Sequence, residues 1–143
     1  MNVMIYLVLL LTCCLYASAR GGTPERLAVG LLAAAIVASH FAPHAGPIRF
    51  KQMEFGLLMV DIGMFLAITA LALKAQRYWP MWLAAAKLNT VITHLLMLAP
   101  ALMPWSYAVA NAAWSYPTPL LIAIGAIRHR QRLKRYGVDP AWS

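Results

Sequence analysis

The chain has 143 residues, of which 62% are hydrophobic and only 11% charged, against about a quarter charged in a typical soluble domain. A chain this short has too much surface for its volume to hide that much apolar material from water, which excludes an ordinary soluble globular domain. Lipid must take the excess, and the net charge of +8 then belongs to the loops and ends of a membrane protein.

In chain order, residues 2–19 have the hydrophobicity of a secretory signal. No Lys or Arg precedes Arg20, however, so the basic n-region is missing and the segment reads as a retained first span. Thr12 before Cys13 does not suit a lipoprotein site. Cys13 and Cys14 are adjacent, so they form no CxxC pair and read as small buried hydrophobes. Crossing a bilayer takes roughly 20 apolar residues, and four more stretches approach that, at 27–42, 53–73, 80–99 and 107–127. Gly21-Gly22-Thr23-Pro24 breaks the chain after the first span, with Pro24 placed to open the second. Pro43, Gly46 and Pro47 end the second, residues 74–78 end the third, Pro80 opens the fourth, and Pro100 and Pro104 make the last turn. Asn111 and the run Trp114-Ser115-Tyr116-Pro117-Thr118-Pro119 predict a broken or kinked fifth helix. A four-span alternative would make that segment re-entrant and put the basic tail outside.

Sidedness follows from Lys and Arg. Arg20, Arg26, Lys74, Arg77, Arg128, Arg130, Arg132, Lys134 and Arg135 fall on one side, and only Arg49 and Lys51 on the other. This argues for an outside N-terminus and a cytoplasmic C-terminus, and against the four-span reading. Trp79, Trp82, Trp105 and Tyr107 fall at predicted span ends, where amphipathic rings favour the interface.

Ionisable groups inside a span are costly and mark the first places to look for function. Glu54 and Asp61 share a face of the third span, and Lys87, Thr90 and His94 share a face of the fourth, with Asn89 and Thr93 beside them. At ~1.5 Å per residue, Asp61 stands ~18 Å above the inner end of its predicted span, Asn89 and Thr90 ~14–15 Å, and His94 ~21 Å. Asp61 is therefore expected to meet Asn89, Thr93 or His94, while Lys87 bends its stem toward water. These residues read either as a hydrogen-bonded clasp between two helices or as the lining of an ion path. Five helices scarcely enclose a pore, so the second reading requires several copies around an axis. His40 lies at a depth close to that of His94, which leaves open a haem held by two imidazoles. His44 falls in a loop and His129 in the tail, where neither adds a second pair. No H-E-x-x-H, G-x-S-x-G or P-loop occurs, so neither an enzyme nor a bound metal or cofactor is expected beyond that haem alternative.

From Arg128 the fifth helix is expected to run on to Gly137. Arg128, Arg132 and Arg135 share one face, with Arg130 and Lys134 on another. Such a tail anchors the span among anionic head groups. Repeated around an axis, Arg128, Arg130, Arg132 and Arg135 would also bind phosphates, with Tyr136 and Trp142 as stacking faces for a nucleotide or short oligonucleotide.

Trp79-Pro80-Met81-Trp82, His94, Met103-Pro104-Trp105-Ser106-Tyr107-Ala108, Trp114-Ser115-Tyr116-Pro117, the run from Gly125 to Arg132, and Val138-Asp139-Pro140-Ala141-Trp142-Ser143 resemble a group of small bacterial multi-span membrane proteins. The resemblance covers the last two spans and the tail. In size and charge layout the chain is also similar in plan to the channel effectors of anti-phage defence operons, such as the Hailong type. There a homotetrameric channel is controlled by DNA oligomers made by a partner nucleotidyltransferase. That similarity implies a homo-oligomer, a tetramer by analogy, and such a partner enzyme; it transfers no site residue.

The expected fold is all-α, a polytopic transmembrane bundle of about five spans in the bacterial inner membrane. A transmembrane domain covers 1–127 and a basic cytoplasmic tail 128–143. The expected function is a homo-oligomeric ion channel lined by Asp61, Asn89, Thr90, Thr93 and His94. Its rivals are an accessory subunit of a larger membrane complex and the haem protein.

Overall fold

The computed structural model describes residues 3–41, 55–96, 109 and 113–139. Glu54, His44, Arg49, Lys51, Pro100, Pro104, Trp105, Tyr107, Asn111 and Trp142 lie outside them. The described residues form five α-helices and no strands: α1 (Val3–Arg20), α2 (Thr23–Phe41), α3 (Phe55–Ala75), α4 (Tyr78–Leu96) and α5 (Pro117–Tyr136).

The helices close into a ring. The most extensive packing joins α3 to α4; α1 also packs on α5, α2 on α3, α4 on α5 and α1 on α2, and lighter contacts join α2 to α5. Each helix turns a periodic stripe inward. Leu10 and Ala17 come from α1, Ala28 and Leu32 from α2, Met64, Ile68 and Leu71 from α3, Leu83 from α4, and Ile122 and Ala126 from α5. These spacings of three, four and seven keep a side chain on one helical face. Ala17, Ala28, Ala75 and Ala126 are fully buried, small residues that let helix backbones approach closely.

The outside is as apolar as the inside. On α1 the stripe Met4, Val8, Leu11 and Leu15 points away from the bundle, and Ile36, Val37, Leu66, Leu73, Met81 and Trp82 are likewise exposed. Two helices, α2 and α3, are long and apolar enough to cross a membrane, and only 22% of the apolar window of each is buried inside the bundle. The core helix of a soluble protein would be mostly covered. Met4–Arg20 is a shorter apolar helix.

The proline-rich segment behaves differently from a kinked fifth span. Residues 113–115 are helical, Tyr116 is a turn, and α5 begins afresh at Pro117. Pro117 and Pro119 stand in the first turn, where the missing N–H groups have no intrahelical acceptor to lose. They start a helix instead of bending one. At the other end Gly137 adopts the left-handed φ of 72° and its N–H donates to the Leu133 carbonyl at 3.0 Å. This cap turns the chain back, so that Asp139 lies against α5.

Candidate functional site

Two polar centres lie in the bundle, one along the α3–α4 seam and one at the end where α1, α3 and α5 finish.

On the seam, His94 Nε2 lies 2.8 Å from Asp61 Oδ2. The His94 side chain is 2% exposed and that of Asp61 24%. Lys87 is also buried, with Asp61 as an electrostatic partner. The expected meeting of Asp61 with the fourth span is therefore made, through His94. Thr93 donates instead to the Asn89 carbonyl at 2.7 Å, Thr90 to the Ala86 carbonyl at 3.2 Å, and the Asn89 amide to the Ala85 carbonyl at 3.2 Å. All three satisfy themselves on their own helix. Thr90 and Thr93 are buried and Asn89 half-buried. Of the two imidazoles of the haem alternative, His94 is buried against Asp61, and His40 is exposed and packs edge-on against its neighbour Phe41 at 5.7 Å. Cys13 and Cys14 are free thiols, the first buried and the second half-buried.

The second centre begins with Gly22, which precedes α2. Glu25, three residues on, turns back to accept the Gly22 N–H at 3.0 Å, half of a capping box. Its other oxygen accepts Trp79 Nε1–H at 3.1 Å, and Glu25 is fully buried. The positive end of α2 and two donors hold the carboxylate there. Trp79 was expected as an interfacial ring. It is buried instead, because its N–H has a partner inside and its indole lies where a Cβ on Gly125 would stand. Trp82, by contrast, is exposed on the outside of α4. A Cβ on Gly22 would come 2.8 Å from His129 Cε1, so this glycine admits the imidazole.

Beside them, the Asp139 carboxylate accepts hydrogen bonds from Arg77 Nη2 and His129 Nδ1, and from Arg132 through Nε at 3.2 Å and Nη2 at 3.4 Å. Burial alone would raise the Asp139 pKa, but the hydrogen bonds from Arg77, Arg132 and His129 outweigh it and hold the group at about 2. Arg77 Nε, also buried, has no partner among the described residues. Arg132 is thus committed to Asp139, whereas Arg128, Arg130 and Arg135 are exposed. Arg128, Arg132 and Arg135 line a shallow open groove with Gln131, Lys134 and Tyr136.

Sequence pattern alone gives Glu25, Arg77, Trp79, His129 and Asp139 no site role, and His129 only a place in the tail. One signal was available. The chain has only four carboxylates against twelve Lys and Arg, so a tail acid such as Asp139 has a surplus of cations to meet. No protein-family model, curated protein or solved structure matches the chain.

Proposed function

We propose that the chain is a multi-pass protein of the bacterial inner membrane, crossing five times with a cytoplasmic C-terminus, and that it conducts ions as a homo-oligomer along the α3–α4 seam. The observation that carries this reading is the Asp61–His94 contact, a carboxylate and an imidazole 2.8 Å apart at membrane depth. Counted from the observed helix ends, Asp61 stands ~21 Å and His94 ~24 Å from the basic end of the bundle. Groups of this kind are rare in spans and mark ion and proton pathways. An imidazole takes a proton on one nitrogen and releases it from the other, and a neighbouring carboxylate supplies the next acceptor.

The seam opens outward at Asp61 and Asn89, both half-buried, so a second copy packed there would complete a path that one bundle does not enclose. The apolar exterior and the back-bonded hydroxyls of Thr12, Thr69, Thr90 and Thr93 supply what a lipid solvent demands, polar groups satisfied within their own helix. The basic end, with exposed Arg128, Arg130 and Arg135, faces the cytoplasm in this reading and offers cations to an anionic nucleotide or oligonucleotide. The similarity in plan to defence-operon channels, with their nucleotidyltransferase partner, supports the same arrangement.

The test is ion flux through proteoliposomes of the purified chain, driven by a potassium gradient and read with a pH dye. Flux is expected from the wild type. Asp61→Asn keeps a hydrogen bond to His94 but removes the charge; it should reduce flux at least tenfold while changing stability by only about 0.5–2 kcal/mol, the range of intramembrane hydrogen bonds. A second reading, an accessory subunit whose seam only clasps two helices, is favoured by Thr90 and Thr93 turning back on α4. It predicts no flux from the wild type, and co-purification of a stoichiometric partner from native membranes.

A further inference from the structure

We infer that Asp139 is the chain's own stand-in for a phosphate group: it occupies an anion site built from Arg77, Arg132 and His129 at the basic end of the bundle, and a phosphate-bearing ligand displaces it. This deepens the cytoplasmic ligand reading above and rests on it only for which phosphates reach the site.

Three features argue for a site larger than the carboxylate now in it. The first is the donor count. Arg77 Nη2, His129 Nδ1 and Arg132 Nε and Nη2 all converge on two oxygens, and a buried fifth donor, Arg77 Nε, finds no acceptor among the described residues. A carboxylate has two oxygens to offer and a phosphate monoester three in a tetrahedral array, which suits a guanidinium fork and its spare N–H. The second is charge. Two guanidinium groups oppose one carboxylate, and Arg128, Lys134 and Arg135 line the adjoining groove, so the site stays cationic with Asp139 in place. Glu25, whose oxygens accept only the neutral N–H groups of Gly22 and Trp79, adds a second negative charge nearby, and the groove cations outnumber it.

The third feature is how differently the two sides are held. Arg77 is 9% exposed, and His129 is seated against Gly22. These belong to the bundle. The Asp139 side chain is itself only 5% exposed, but it hangs from a short stretch past the Gly137 cap, and Val138 beside it is exposed. Arg132, 27% exposed, lines both the latch and the groove, and forms the edge through which an incoming phosphate reaches Arg77. Tail release is then the structural consequence of binding.

The experiment uses the full chain with a nitroxide at Val138→Cys in a Cys13→Ala, Cys14→Ala background. Inorganic phosphate is the soluble probe, and nanodiscs with or without phosphatidic acid are the lipid probe. The label, on an exposed residue beside the docked Asp139, should be less mobile at rest than in an Asp139→Ala variant, and phosphate should raise it to the mobility of that variant. By equilibrium dialysis, Asp139→Ala should bind phosphate at least tenfold more tightly than wild type, and adding Arg132→Gln or Arg77→Gln should abolish that gain. Arg132 is the less buried of the two, so its variant serves if the Arg77 variant does not fold. Mobilisation by phosphatidic acid alone assigns the site to lipid head groups; mobilisation by free phosphate assigns it to soluble ligands. The inference is overturned if Asp139→Ala gains no affinity, if neither phosphate source mobilises the label, or if chloride at equal ionic strength mobilises it as well. None of these readouts requires conductance, so their failure leaves the flux measurement standing, and absent flux leaves them standing.

Discussion

Glu25 is a fully buried carboxylate in a chain with far more cations than acids, yet among the described residues no cation is its hydrogen-bond partner. Its charge is held by a backbone N–H, an indole N–H and the start of α2. Removing a donor from a buried carboxylate leaves desolvation uncompensated. Trp79→Phe should therefore cost about 1–3 kcal/mol, read as a lowered thermal midpoint of the detergent-solubilised protein. In a double-mutant cycle, Glu25→Ala should cost less in the Trp79→Phe background than in the wild type, since the contact between the two is already lost there. Full additivity would show that the two side chains act independently. Legibility in the sequence differed between the centres for a related reason. Asp61 and His94 could be matched because each height depends on one helix end. The observed ends, Ala75 and Tyr78, are displaced by two residues each from the predicted 73 and 80, so both heights rose together and the register survived. Glu25 and Trp79 are 54 residues apart on helices that are not chain neighbours, and no periodicity brings them together. Only the spacing from Gly22 to Glu25 hinted at a carboxylate turned back on a helix start.

Among the elements, α5 shows how a mixed helix is placed. Its first half is apolar and packs on α1 and α4, while its second half, from Arg128 onward, is basic and leaves the core. Gly125 lies at the crossing with α4, and a Cβ there would come 2.8 Å from Trp79 Cε2. Because Glu25 anchors that indole, the neighbour cannot simply swing aside. Gly125→Ala should destabilise by about 1–3 kcal/mol through overpacking, despite the better helix propensity of alanine. An unchanged thermal midpoint would mean that α4 and α5 can part to admit a methyl group. The prolines of this helix were legible as a break, but not as a start, because that depends on where the preceding turn falls. The tail latch was not legible at all. It needs the left-handed turn at Gly137 and a partner, Arg77, 62 residues away. Its pH dependence follows from the depressed pKa of Asp139, about 2 against an ordinary 3.8. A carboxyl that ionises more readily when docked stabilises docking above the ordinary value and loses that contribution as protons bind. The nitroxide at Val138→Cys should therefore keep its docked mobility from pH 7 down to about 4 and gain mobility between about 4 and 2. Release already complete at pH 5 would mean that the Asp139 carboxylate is not what holds the tail.

At the scale of the molecule, the fold gathers charge at one end. The contacts of Glu25 with Trp79 and of Arg77 with Asp139 bring together the turn before α2, the turn before α4 and the end of α5, while Tyr6 and Tyr116 meet at 5.3 Å toward the opposite end. Arg20, Arg26, Lys74, Arg77 and the five tail cations consequently share one end, nine of the twelve Lys and Arg in the chain. Charge counting on the sequence reached the same grouping without any tertiary contact, because it needs only the parity of the crossings. Translocating nine cations through a bilayer is far less favourable than leaving them where they are made, so that end should stay in the cytoplasm. A reporter fused after Ser143 checks this directly. A fluorescent protein that folds only in the cytoplasm should fluoresce there, and an alkaline phosphatase that requires periplasmic oxidation should remain inactive. The opposite result would turn the bundle over. The groove and Asp139 latch would then face the periplasm, away from cytoplasmic nucleotides, whereas the Asp61–His94 seam would keep its depth and its chemistry. Charge reversal tests the cause. Replacing Arg128, Arg130, Lys134 and Arg135 with Glu leaves the latch residues intact but removes four of the nine cations, and should produce a mixed population with phosphatase activity rising from background. A topology indifferent to those four residues would place the determinant in the α1–α2 and α3–α4 turns.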